Sequence, residues 1–440
     1  MGYEITNLGE YINVQGGYAF KSKDFSKDGN PVLKIKNVRF GHIDFTDCGF
    51  VSDSVINGLE RFKTNAGDIL ISMTGSGPNA PQSLVGRVAK IYQDDKAAYI
   101  NQRVGRIQIK DDKVDPDFIF YLLQQKSSID YLVANSTGSA NQANINAVTI
   151  CSVPCPKVTF KESVAIADIL RNIDLGIRNN SQMNATLEKI AQRIFKSWFV
   201  DFDPVKANAE GVPFDGLSPE IQALFPNEFD ESELGMIPKE WEVKKLEQIG
   251  DIITGKTPST KNEEYYGNEI PFITIPDMHG KSLVTKSSKY LSKKGELSQP
   301  KKTLPKGSIL VSCIATPGLV ILAHENCQTN QQINSLLPYD KFSNFYFLSL
   351  KSMSGRSAFS HDGTVFDNMN KTSFSNLKMV IPSFDLLKNF NDLIEPIFEK
   401  VLINQKQVNT LAKIRDKLLP RLISGKIAIQ KAEELLEEAS

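Results

Sequence analysis

The chain is short of the residues that carry metal and redox chemistry. Its 440 residues include five cysteines and four histidines. No two cysteines form Cys-x-x-Cys. Cys151 and Cys155 stand among prolines, and reduced, partly buried thiols are the better reading than zinc or a disulfide. His42, His279, His324 and His361 are scattered without ligand spacing, so no metal and no cofactor is expected. No Pro-Pro dipeptide occurs, which removes the Asn/Asp-Pro-Pro-aromatic element that grips a flipped adenine. Long apolar runs are absent too. Ile309 to Ala323 is broken by Ser312, Thr316 and Pro317, well short of the roughly 18 residues a membrane helix needs. Tyr3 to Glu10 is polar where a signal peptide would be apolar. A cytoplasmic protein with no membrane partner is expected.

Net charge is also missing, with 51 basic and 51 acidic side chains. The balance is uneven along the chain. Residues 201–240 carry ten acids against Lys206 and Lys239, and residues 433–440 add four glutamates and no base. The remainder holds 49 bases against 37 acids, a net of +12. Bases gather at Lys21, Lys23, Lys27, Lys34, Lys36 and Arg39. They gather again at Lys281, Lys286, Lys289, Lys293, Lys294, Lys301, Lys302 and Lys306. Either cluster alone reads equally well as a solvated face, but two such clusters favour phosphate contacts.

What the chain does have is a large internal repeat. At an offset of 240, Pro31-Val-Leu-Lys-Ile35 lies over Pro271-Phe-Ile-Thr-Ile275, and Ala66-Gly-Asp-Ile-Leu-Ile-Ser72 over Lys306-Gly-Ser-Ile-Leu-Val-Ser312. Further on, Asn101-Gln-Arg-Val104 matches Asn330-Gln-Gln-Ile333, and Thr186-Leu-Glu-Lys-Ile190 matches Thr410-Leu-Ala-Lys-Ile414. A unit this long is no short-period solenoid. It is one chain built like a homodimer, suited to a target with two-fold symmetry.

Each copy divides in two. Residues 1–155 alternate or run apolar between Gly, Asn and Asp turns and read as β-rich, with a helix over Pro116 to Leu132. The matching helix covers Phe342 to Ser354. After Phe160 the period becomes 3.5. Ile166, Leu170, Ile173, Ile177, Asn180, Asn184, Leu187, Ala191, Ile194 and Trp198 form a heptad seam. Phe390, Ile394, Ile397, Val401, Asn404, Val408, Leu411, Arg415, Leu418 and Leu422 form the second. Asn at Asn180, Asn184 and Asn404 is the kind of seam residue that fixes register. Each seam most simply buries itself against the other, antiparallel. The expected fold is α+β: β-rich domains at 1–155 and 241–383, long helices at 156–200 and 384–425, a Pro-rich acidic linker at 201–240 and an acidic tail at 426–440.

In this order, several stretches resemble the specificity subunit of type I restriction-modification systems. They are Gly9-Glu-Tyr-Ile12 to Gly16-Gly-Tyr-Ala-Phe20, Gly67-Asp-Ile-Leu-Ile-Ser72, Thr137-Gly-Ser-Ala-Asn-Gln-Ala-Asn-Ile-Asn146, Trp198-Phe-Val-Asp-Phe-Asp-Pro204 and Leu234-Gly-Met-Ile-Pro-Lys-Glu-Trp-Glu-Val-Lys-Lys-Leu246. The resemblance covers nearly the whole chain. It implies two target recognition domains held apart by the helices, each reading half of a bipartite site in double-stranded DNA. It implies no catalytic centre, two methyltransferase (modification) subunits as partners, and restriction subunits in the full complex. The second copy departs at His361-Asp-Gly-Thr-Val-Phe-Asp367.

Two readings from other classes compete. Gly250-Asp-Ile-Ile-Thr-Gly-Lys-Thr257 fits a phosphate-loop pattern, but Pro258 follows directly and no buried strand precedes it. ATP binding by the isolated chain would favour that enzyme reading. A coiled-coil scaffold would show no salt-sensitive DNA binding.

Candidate DNA-reading residues sit in loops rich in amides and hydroxyls. Asn and Gln can bond adenine, and Arg guanine, in the bidentate way base reading needs; Ser, Thr and Lys suit phosphates. The first copy offers Lys21, Thr74, Ser76, Asn79, Gln102, Arg103, Ser139, Asn141, Gln142 and Asn144. The second offers Lys256, Ser259, Lys261, Thr316, Gln331, Gln332, Thr364, Asn368 and Lys371. Asn101 and Asn330 rank lower, as strand-end residues that could hold the fold instead. For partner docking the expectation is an exposed apolar face containing Phe195, Trp198, Phe199 and Ile423, with Asp201 beside it.

Overall fold

The structure, a computed structural model, describes residues 3–77, 84–139, 142–356, 366 and 368–437. It divides into two compact units. One holds residues 1–176 and 411–440, the other residues 177–410.

In the first unit the main sheet is antiparallel, ordered Ile12–Gly16, Val104–Ile109, Ile69–Ser72, Val88–Lys90. A second sheet orders Phe25–Ser26, Gly49–Val51, Asn30–Leu33 and Tyr99–Ile100, the last pair parallel. In the second unit the main sheet runs Gly250–Thr254, Ile333–Pro338, Ile309–Ser312, Val320–Leu322. The order is the same and so is the register: Ser72 faces Val104 as Ser312 faces Ile333. The repeat in sequence is therefore a repeat in topology. The central strands Ile69–Ser72 and Ile309–Ser312 are buried at every position, which explains their continuous apolar sequence.

Two 40-residue helices, Phe160–Phe199 and Phe384–Ile423, follow the two β-rich regions. Thr159 and Glu162 start the first with reciprocal side-chain bonds, a Thr-x-x-Glu capping box. The second ends where Gly425 adopts φ +67°, and Lys426 N–H returns to the Arg421 carbonyl at 2.8 Å. Within the second unit the helices run antiparallel: Phe195 lies against Phe390, and Asn184 against Asn404. Within the first, the Arg415 guanidinium meets Asp174 at 2.9 Å. Every expected seam position is buried or half-buried.

Two expectations need correction. The helix expected over Pro116 to Leu132 is two helices, Pro116–Gln124 and Lys126–Ala134. The Ser128 hydroxyl takes the Leu122 carbonyl, and Gln125 turns extended. At Gly250, where the sequence already argued against a phosphate loop, Gly250–Thr254 is a strand whose backbone pairs with Ile333–Pro338. The 201–240 region is more than a partly ordered linker. Helix Asp203–Glu210, helix Pro219–Gln222 and the hairpin Phe229–Ser232 with Gly235–Pro238 bury Val205, Phe225 and Ile237 in the second unit's core. Asn208 and Gln222 brace it. The Asn208 amide donates to the Gln222 and Phe225 carbonyls, and the Gln222 amide to Asn208 and the Val212 carbonyl, all within 3.0 Å.

The expected exposed docking face is also overturned. Phe195, Trp198, Phe199 and Ile423 are all at least nine-tenths buried. Phe199 contacts Phe345, Phe390 and Trp241, and Trp198 contacts Phe225. The end of the first helix leaves the heptad seam and enters an aromatic core, so residues on both sides of the seam are covered. Asp201 is half-buried and paired with Lys196. The apolar side chains that do stay exposed on the helices include Met183, Ile190, Leu393 and Ile403.

Candidate nucleic-acid interface

In the first unit three backbone segments converge. Gly17 donates to the Val104 carbonyl at 3.0 Å and Tyr18 to that of Ile100 at 2.9 Å. A Cβ on Gly17 would lie 2.2 Å from the Asn101 carbonyl oxygen, so only glycine lets this strand end approach. Val104 N–H closes a tight turn onto Asn101 at 2.8 Å, leaving Gln102 and Arg103 exposed. Met73 then donates to the Arg103 carbonyl at 2.9 Å, and Ile145 to that of Met73 at 3.0 Å. The small sheet Thr137–Ser139, Gln142–Asn144, Thr74–Gly75 hangs from this junction.

The structure thus places Ser76, Gln102, Arg103 and Gln142 on adjoining segments of one surface. Gln142 is exposed and Ser76 half-buried. Lys21 is exposed three residues beyond Tyr18, which bridges to Asn101. Thr74 and Asn144 have another role. Thr74 is buried and donates to Asn144 Oδ1 at 2.7 Å, so the two brace the hairpin. Ser139 is placed by its backbone, opposite Gln142. Asn79, Asn141 and Thr364 lie outside the described residues, as does most of the stretch from His361 to Asp367.

The second unit repeats the junction. Gly255 donates to the Ile333 carbonyl at 3.1 Å and Lys256 to that of Thr329 at 2.9 Å. A Cβ on Gly255 would again lie 2.2 Å from a carbonyl oxygen, that of Asn330. Cys313 donates to the Gln332 carbonyl at 3.0 Å, as Met73 does to Arg103. Gln331, Lys256, Ser259 and Lys261 are exposed, with Gln331 Oε1 accepting from the Thr257 hydroxyl at 2.9 Å. Gln332 is half-buried and takes a bond from Asn330, a local brace. Thr316 is half-buried in the Cys313–Gly318 loop. Asn368 and Lys371 are exposed at the entry to helix Lys371–Ser375. Asn101 and Asn330 themselves are half-buried turn residues, in keeping with a fold-holding role.

The basic clusters are partly spent. Lys36 pairs with Asp47 and Arg39 with Asp44. Bonds from Thr46, then Arg39, hold the Asp44 carboxyl below the usual range despite some burial. In the second unit Lys293 pairs with Glu296 and Lys294 with Glu264, while Lys302 reaches the Thr254 carbonyl. Lys21, Lys23 and Lys27, and Lys281, Lys286, Lys289, Lys301 and Lys306, are exposed. Among the described residues no group of three acids, histidines or cysteines could hold a metal. No described helix is long and apolar enough to cross a membrane.

The sequence did not single out Gly17, Gly255 or the buried pair Thr254 and Asn334 as functional. The one signal available was that both glycines directly follow the first strand of their unit's main sheet.

A family model described as the type I restriction modification DNA specificity domain matches residues 1–189 and 238–412. The chain is 35% identical to the type I restriction enzyme HindI specificity subunit of Haemophilus influenzae, over 87% of this chain and 91% of that one. It is 29% identical to the MjaIX specificity subunit of Methanocaldococcus jannaschii, over 73% and 71%. Its fold is similar to the crystal structure of a type I restriction-modification S subunit from M. genitalium, with a TM-score of 0.57 at 15% identity over 96% of both chains.

Proposed function

Because the chain belongs to the family of type I restriction-modification DNA specificity subunits, we propose that each of its two repeated domains reads one half of a bipartite DNA site. As a specificity subunit it is a non-catalytic DNA-recognition component that binds DNA and assembles with other subunits. One observation carries the finer reading. The two units share a junction, glycine against the Asn101 or Asn330 carbonyl, yet display different side chains from it: Gln102 and Arg103 in one, Gln331 in the other. A shared frame with divergent polar displays is what two half-sites of different sequence require.

In this reading Arg103, Gln102 and Gln142 contact base edges for the first half-site, and Gln331 and Asn368 for the second. Lys21, Lys256, Ser259, Lys261 and Lys371 contact phosphates, which set affinity and position without reading sequence. Two methyltransferase subunits, and restriction subunits in the full complex, act in the cytoplasm where this subunit directs them. With Phe195, Trp198, Phe199 and Ile423 committed to cores, exposed apolar helix residues such as Met183, Ile190, Leu393 and Ile403 are the ones offered to such partners.

The test is to replace residues 1–155 with those of a relative and sequence the methylated motif. One half should change and the other stay. A change in both halves, or in neither, would overturn the assignment.

A further inference from the structure

We propose that Asn334 is a positioning residue for sequence recognition in the second unit, holding together three segments that present that unit's candidate DNA-contacting side chains, among them Asn368. The proposal rests on the reading of this unit as a DNA-recognition domain and adds the residue that sets its geometry.

Asn334 lies on the central strand Ile333–Pro338 and is almost wholly buried. Its Oδ1 accepts from the Thr254 hydroxyl at 2.6 Å. Its Nδ2 donates to the Met369 carbonyl at 3.1 Å and to Cys313 Sγ at 3.3 Å. Each partner opens a displayed segment. Thr254 leads directly into Gly255 and Lys256. Cys313 begins the loop that carries Thr316. Met369 stands between Asn368 and Asn370, whose side chain caps helix Lys371–Ser375 through the Ser373 amide at 2.9 Å. One buried amide therefore bonds to all three. It is too deep to touch DNA itself.

The first unit has no such knot at this place. The position paired with the end of the edge strand is Gly105 opposite Gly16, where the second unit has Asn334 opposite Thr254. Around Gly105 stand Met73, Ile71 and Val14, so apolar packing fills the place that the amide takes in the second unit, while the separate Thr74–Asn144 bond braces only the hairpin beside it. Burying a carboxamide costs stability unless its bonds are made, and apolar packing would serve stability as well. What the amide adds is direction: hydrogen bonds tolerate little change of angle or length, so they fix where each segment lies.

The test uses the assembled methyltransferase complex and DNA carrying its methylated motif. Affinity is compared with two control duplexes, each substituted in one half-site. Asn334→Ala should reduce the preference against the second unit's substituted half-site by roughly tenfold or more. Preference for the first unit's half-site should be unchanged, as should the salt slope set by phosphates. Asn334→Asp keeps the bond from Thr254 but loses both donors, and Thr254→Val keeps both donors but loses the other bond. Asn334→Asp should relax the same half-site strongly and Thr254→Val weakly. If Asn334→Ala fails to assemble, these two near-isosteric variants carry the comparison. Unchanged preference in Asn334→Asp, or equal loss at both half-sites, would overturn the proposal. A wild-type complex with no preference at either half-site would sink the DNA-recognition reading instead.

Discussion

The side-chain amide of Asn404 donates to Oδ1 of Asn184 at 2.9 Å, and the Asn184 amide donates to the Val401 carbonyl at 3.1 Å. Both asparagines are buried in the seam between the antiparallel helices. These two bonds form in only one register, and Asn404 Oδ1 is left buried without a partner even there; sliding one helix by a turn would strand both amides. Asn404→Ala should destabilise the protein by about 1–3 kcal/mol, the cost of leaving a buried polar partner unpaired. The double variant Asn184→Leu with Asn404→Leu should lose less than the two single leucine changes summed. Urea melts of the four proteins measure this, and strict additivity would mean the pair is not coupled.

Gly17→Ala and Gly255→Ala should act separately. Each places a Cβ against a carbonyl that has no room for it and must shift the turn behind. The first should relax one half of the methylated motif, the second the other. Motif sequencing reads this directly, and a variant that relaxed both halves would contradict the division of labour.

Base-reading and phosphate-binding side chains should separate by their salt behaviour. Arg103→Ala or Gln142→Ala should cost roughly 1–3 kcal/mol and relax a single position. Lys21→Ala or Lys261→Ala should weaken all sequences alike and flatten the dependence of affinity on salt. An Arg103→Ala protein that weakens every sequence equally would move that residue to the phosphate class.

The thiols should react in two groups. Cys48 and Cys151 are half-buried, while Cys155, Cys313 and Cys327 are buried. Burial pushes the Cys155 and Cys327 thiols up to about 12, so at neutral pH neither offers thiolate. A thiol-reactive dye should label Cys48 and Cys151 slowly in the native protein and the other three only on unfolding. Fast native labelling of Cys327 would show that its bridge to Leu304 opens readily.

Substitutions on the helices should sort by burial. Phe195→Ala or Trp198→Ala should cost about 3–5 kcal/mol through the cavity left in the aromatic core. Met183→Glu or Ile403→Glu should leave circular dichroism unchanged and weaken co-purification with the methyltransferase. Retained assembly in both glutamate variants would place the partner elsewhere.

Much of the fold could be read from periodicity, since that signal is local. The 3.5-residue spacing marked both helices, and the change of period after Phe160 marked where the first begins. The offset repeat foretold two sheets of one topology. What could not be read depended on distant partners. Asn208 and Gln222 look like ordinary polar linker residues until they fold onto each other. Phe195 and Phe199 sit off the heptad seam, and only the domain that receives the helix end explains their burial. Candidate DNA-contacting residues could be named from the sequence only as a class, by amides and hydroxyls in loops. Thr74 and Asn144 belong to the same chemical class but are consumed by each other.

The two units differ in when they can close. Residues 177–410 are contiguous, so the second is complete once Thr410 has left the ribosome. The first gathers residues 1–176 and then waits for the segment from Leu411 on, which brings Arg415 to Asp174 and Gly425 against the Tyr3 ring. The domain synthesised first is thus finished last. A nascent chain stalled short of Leu411 leaves the seam residues Ile166, Leu170 and Ile173 without the helix segment that completes their unit, surface a chaperone would hold or a protease find. Completion of the first unit therefore depends on the far end of the second helix, and a chain shortened before Leu411 should be degraded faster than the full chain.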